Sequence, residues 1–122
     1  MSTWFKVTKG DVEIERLYIL EIDIEGTVVY KVGKASGHSS KQRMLQIIGS
    51  YFDVYRRTPV VKIIRDRECT DVFKKETECH VELKDYRYFP DKTFSGCTEL
   101  FNTDKEKVIE VYERVLESNK DT

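Results

Sequence analysis

Glu76 and His80 are the pair in this sequence whose types and spacing most invite chemistry. Four residues apart on a helix, they lie on the same side, one turn from each other. The helix is predicted from about Asp71 to Asp85, with Thr70 as its cap, and its apolar stripe runs through Val72, Cys79 and Leu83. Glu76 takes the remaining stripe position. A carboxylate set into an apolar stripe is costly unless it is paired, hydrogen-bonded or bound to a metal. Two readings are open: a carboxylate drawn into a site, or a glutamate at the rim of the stripe closing a salt bridge.

Upstream, Lys31 and Gly33 share one face of a predicted strand with Val29, while Val28, Tyr30 and Val32 take the other. Glycine inside a strand marks close approach of a ligand or another backbone. The stretch from Gly33 to Ser40 is small and polar, with glycines, hydroxyls and a helix start, features that can hold an anion. It lacks the spacing of a Walker loop, and by itself it reads first as a flexible turn. Arg43 falls on the first turn of the next helix, at the edge of its stripe, within reach of the hairpin. An arginine so placed also serves well as a surface ion-pair partner.

Cys69, Cys79 and Cys97 form an odd set without CxxC spacing, so a secreted disulfide framework is not expected and a reducing cytoplasm is. A zinc set of Cys69, Cys79, His80 and Cys97 can be written down, but its spacing matches no ligand pattern, and half-buried thiols are the simpler reading. The net charge of −1 argues against a chain held to nucleic acid by bulk charge. Its distribution is less even. Residues 41–75 hold nine Lys/Arg against four Asp/Glu, a net of +5 that leaves −6 elsewhere. That stretch suits either a phosphate-facing surface or an ordinary solvated face.

The elements that must position these residues follow from patterning. Leu17 to Ile24 is β-branched and aliphatic and reads as a strand; Glu25-Gly26 is a turn, and Thr27 to Gly33 returns. Ser39 or Ser40 caps a helix with the stripe Met44, Ile47, Ile48 and Tyr51. Pro59 opens a strand, Val60 to Arg65. After the Glu76 helix, Tyr86 to Phe101 reads as irregular. Thr103 and Glu106 form a capping box for a last helix with the stripe Val108, Val111, Tyr112 and Val115. The expected fold is α+β: a small central antiparallel or mixed sheet, a hairpin plus one strand, flanked by helices. The 122 residues suit one domain over 1–122. No apolar run approaches the ~20 residues that cross a bilayer, and Trp4 and Phe5 in the first ten residues sit in no signal-peptide stretch.

Taken together, these residues resemble the GIY-YIG nuclease family, in particular its phage-type branch with a Lys-Ile-Gly-Lys core. Leu17-Tyr18-Ile19 resembles the first tripeptide and Lys31-Val32-Gly33-Lys34 the second, with Arg43 as the arginine on the following helix. Glu76 and His80 match the Glu-x-x-x-His helix. Gly96-Cys97-Thr98-Glu99-Leu100-Phe101 resembles the Gly-x-x-Glu-Trp-Phe segment that closes the phage-type domain, and Asn102 falls at the late asparagine. The resemblance covers roughly 16–102, followed by a C-terminal helix at 103–119. Leu17 replaces the first glycine, and Lys31 replaces the second tyrosine, with Tyr30 one residue early and on the other face.

The resemblance implies a DNA endonuclease using Mg²⁺ or Mn²⁺, with Glu76 as the metal ligand. Arg43 would stabilise phosphate charge, Tyr18 or Lys31 would position or deprotonate the nucleophile, and His80 would support the site or move a proton. Gly33, Lys34, Arg56 and Arg57 are the expected substrate contacts, DNA the partner, and the cytoplasm (a host's, if phage-encoded) the location. Selectivity would have to come from oligomerisation, a partner or the basic stretch. A reading from another class keeps the fold and loses catalysis: a binding module for DNA or a protein.

Overall fold

The computed structural model describes residues 15–36 and 40–118. Strands β1 (Glu15–Ile24) and β2 (Thr27–Ser36) form the expected hairpin. Its turn, Glu25-Gly26, has positive φ at both residues, 51° and 95°, the geometry that matches the twist of a tight two-residue hairpin. The Gly26 amide donates to the Asp23 carboxylate at 2.8 Å. Both strands outrun the sequence expectation, because Glu15 pairs with Ser36 and keeps the ladder going. Lys34 and Ala35 therefore belong to the sheet rather than to a polar loop. Gly37, His38 and Ser39 of that loop lie outside the described residues, as do Trp4 and Phe5.

Helix α1 (Ser40–Tyr55) leads to strand β3 (Val60–Glu68), then helix α2 (Val72–Glu82), strand β4 (Leu100–Phe101) and helix α3 (Lys105–Ser118). The sheet is antiparallel throughout, in the order β3-β1-β2-β4. β3 passes its expected end at Arg65 because it pairs along β1 as far as Arg16↔Glu68. β4 lies in the stretch expected to be irregular. It pairs with β2 only through Tyr30↔Phe101 and Lys31↔Leu100, and on its other side Arg87 bridges to Phe101.

Of the two residues expected to cap α1, Ser39 lies outside the described residues and Ser40 belongs to the helix itself. Ser40 is buried inside α1, and its hydroxyl donates to Asp66 at 2.8 Å, a carboxylate also held by Arg16. The residue before α2 is Asp71, in left-handed backbone with no side-chain cap, rather than Thr70. The Thr70 carbonyl instead accepts from the buried Lys75 ammonium at 2.7 Å. α2 stops at Glu82, and a 3-10 turn, Lys84–Tyr86, takes up the residues expected to continue it. In α3 the first helical bond runs from Val108 N–H to the Asp104 carbonyl, which puts Asp104 rather than Thr103 at the cap.

Alternation along the strands divides the interior in two. Tyr18, Leu20, Ile22, Val29 and Leu100 pack against Ile47 and Tyr51 of α1. Leu17, Ile19, Val32 and Phe101 pack against Val72, Cys79 and Leu83 of α2 and the α3 stripe Val108, Val111, Tyr112 and Val115. The sheet thus lies between α1 on one face and α2 with α3 on the other. Cys79 and Cys97 fall in opposite layers, and among the described residues no three His, Cys, Asp or Glu side chains are grouped as a metal cage would need. Among the described residues no helix is long and apolar enough to cross a membrane.

Candidate active site

Tyr18 and Gly33 face each other across β1 and β2. The tyrosine ring lies over the bare glycine, so closely that a Cβ on Gly33 would stand 2.5 Å from the phenolic oxygen. The glycine foreseen as a point of close approach is therefore approached by Tyr18 itself. Lys31, two residues earlier on the same face, is buried, and its ammonium meets Glu99 Oε1 at 2.9 Å. α1 adds Arg43, whose guanidinium also donates to Gln46 at 2.6 Å.

Glu76 comes from the other layer. α2 packs on the Val32 face of the sheet, yet Glu76 lines the same pocket as Tyr18, Lys31, Gly33 and Arg43. The arrangement works because β4 is so short: beyond Lys31, β2 has no fourth-strand partner, and Glu76 reaches the pocket around that open edge. Lys34, Gly96, Thr98 and Glu99 complete a polar pocket of about 360 Å³. His80, one turn on, stands behind it. Its Nε2 lies 2.8 Å from the Val32 carbonyl; a carbonyl can only accept, so that nitrogen carries the hydrogen.

Burial pushes the Glu76 carboxyl above its usual range and the charge of Glu99 adds to this, while His80, Lys34 and Lys31 pull against it. Glu99 behaves in the opposite way: burial would raise it, but the hydrogen bond and charge of Lys31 prevail and hold it below the usual range. Burial raises the Tyr18 hydroxyl, and Arg43 offsets part of that through a hydrogen bond and its charge. At neutral pH Tyr18 is therefore a protonated phenol.

The structure brings Tyr18, Lys31, Gly33, Lys34, Arg43 and Glu76 together, with His80 in support. It does not bring Arg56 and Arg57 there. Both follow the C-terminal end of α1, where Arg57 pairs with Glu25 of the hairpin turn at 3.3 Å, roughly 23 Å along β2 from Gly33 at the rise of a strand. Tyr30 faces the opposite layer and donates to Glu21 at 2.9 Å. Glu99 also enters the site; the sequence matched it to the glutamate of the Gly-x-x-Glu-Trp-Phe segment but gave it no role.

A hard divalent cation fits this donor set. Among the described residues the Glu76 carboxylate takes no hydrogen bond and closes no ion pair, and burial already disfavours its lone charge. Mg²⁺ commonly takes one or two carboxylates, keeps waters and shares a phosphate oxygen.

Such a pocket, on what among the described residues is a four-stranded antiparallel sheet with three helices, defines a small α+β domain with a polar, cation-lined cleft. The T5orf172 domain matches residues 15–116. The chain belongs to that family, a phage-type domain linked to endonuclease-like proteins. No curated protein and no solved structure matched the chain.

Proposed function

We propose that this protein is a metal-dependent DNA endonuclease of the GIY-YIG type, hydrolysing phosphodiester bonds with Mg²⁺ or Mn²⁺. The observation that carries the reading is Glu76: a half-buried carboxylate without a hydrogen bond among the described residues, lining one pocket with Tyr18, Lys31, Lys34 and Arg43. The family match to a phage-type, endonuclease-linked domain supports it. A cation held by Glu76 supplies Lewis-acid charge at a phosphate oxygen. Arg43 and Lys34 hold the phosphate and oppose the negative charge that builds on it. The Tyr18 phenol, pinned over Gly33, positions the attacking water by hydrogen bonding. His80 supports the site by fixing α2 to the edge of β2 through Val32, which keeps Glu76 in place.

The test is supercoiled plasmid incubated with pure protein and Mg²⁺ or Mn²⁺, beside Glu76→Ala. Nicking or linearisation by the wild type alone is expected; cleavage that persists in the variant removes Glu76 from the mechanism. A second reading, a catalytically inactive module of the same fold that binds DNA or a protein, draws on Tyr30 facing away, which leaves Tyr18 as the one tyrosine lining the pocket. Salt-sensitive DNA binding without cleavage under any divalent metal would favour it.

A further inference from the structure

Lys31 occupies the position where the second tyrosine is expected, and a lysine there could act as base or as cation. Its surroundings decide between the two. The side chain is 2 % exposed. Its stem runs beside Gly96, where a Cβ would lie 3.5 Å from Lys31 Cε and 2.9 Å from Ile47. Gly96 has φ of 90° and leads into a 3-10 turn, Cys97–Glu99, immediately before β4. That turn matters. Leu100 pairs with Lys31 and points into the α1 layer with it. Had β4 begun one residue earlier, strand alternation would have sent Glu99 to the opposite face. The turn brings it back, and its carboxylate meets the ammonium at 2.9 Å.

We propose that Glu99 is a positioning residue for Lys31, holding it as a fixed ammonium that neutralises phosphate charge, so that Lys31 is not the general base. The proposal rests on the nuclease reading above. A lysine base needs a proton it can release easily, which calls for apolar burial or a neighbouring cation. Lys31 is instead locked to a carboxylate, and releasing its proton would strand Glu99 as a half-buried anion. The downward displacement of the Glu99 carboxyl by Lys31 agrees with an ionised pair. The other charged and titratable groups facing the pair are Tyr18 from β1, Lys34 from β2, Arg43 from α1 and Glu76 with His80 from α2.

Two substitutions separate cation from base, because they predict opposite signs. Glu99→Gln keeps the shape and removes the countercharge, which makes proton loss from Lys31 easier. If Lys31 must stay charged, single-turnover plasmid cleavage at neutral pH falls about 10- to 100-fold, as for other lost supports of a reacting group. If Lys31 is the base, the same variant is faster at neutral pH, and that result overturns the proposal. Lys31→Arg preserves a permanent cation, whereas Lys31→Met removes it. Cleavage by Lys31→Arg within about tenfold of wild type, with a loss of roughly 10²-fold or more in Lys31→Met, is expected. Equal loss in both, in variants whose melting curves match the wild type, also overturns it. An inert wild type would remove the nuclease reading itself; an active wild type with the wrong variant pattern removes only the role of Glu99.

Discussion

The phenolic ring of Tyr18 rests on the backbone of Gly33, with no room between them for even a methyl group. Gly33→Ala would force the hydroxyl aside, and since Tyr18 is buried the strain has nowhere to dissipate. The variant is expected to lose about 1–3 kcal/mol of stability, as in other overpacked cores, and to cleave more slowly. Chemical denaturation checks the first and plasmid nicking the second; a wild-type midpoint would show that the ring shifts freely.

Glu76 and Glu99 share a pocket but should affect stability in opposite directions. The Glu76 carboxyl is raised in the folded state, so between its unfolded and folded values the native protein binds the extra proton, and stability falls as pH rises through that window. Glu76→Gln should therefore melt higher than wild type at pH 7 in EDTA. Glu99 is lowered, so its contribution is present above the unfolded value and is lost as pH falls through the folded one. Glu99→Gln should melt lower at pH 7. Both differences should shrink below about pH 4, where the unfolded carboxyls take up protons. Scanning fluorimetry from about pH 2 to 8 reads both; matching signs would contradict the charge arrangement of the pocket.

Mn²⁺ should reverse the order at Glu76. Binding to the native state alone stabilises by mass action, roughly 2.7 kcal/mol at a hundredfold excess over Kd. The wild type should gain melting temperature on titration with Mn²⁺, and Glu76→Gln should not. Equal gains would place the cation elsewhere.

His80 ties α2 to the sheet through the Val32 carbonyl. His80→Ala removes that bond and should destabilise by about 1 kcal/mol, read as a lower urea midpoint, together with slower cleavage because Glu76 stands one turn upstream. On the far side, the Tyr112 hydroxyl donates to the Leu17 carbonyl at 2.7 Å. Tyr112→Phe should have a similar effect on the midpoint, about 1 kcal/mol, and leave cleavage unchanged.

Periodicity made much of this legible. Alternation placed Lys31 and Gly33 on one strand face and Tyr30 on the other, and the stripes of α2 and α3 proved to be buried surfaces. What stayed hidden depends on contacts between distant segments. A two-residue strand such as β4 has no period to detect, and it forms between Tyr30 and Lys31 on one side and the segment at Arg87 on the other. Ser40 reads as a cap until Asp66, from β3, takes its hydroxyl. Lys75 carries the most hydrophilic of labels and is nonetheless 5 % exposed, because the Thr70 carbonyl at the start of its own helix receives the ammonium. The orientation of Glu99 is hidden for the same reason: it depends on where a strand fails to begin.

The brevity of β4 also determines what can come near the pocket that holds Glu76 and Lys31. A fourth strand continued along β2 would run its own peptide chain past Val32 and Gly33, the place a nucleic-acid backbone would need to occupy. By stopping short, the sheet leaves that edge to side chains, His80 on the Val32 carbonyl and Glu76 in the pocket beyond it. Lengthening this strand by design should silence the protein while making it sturdier.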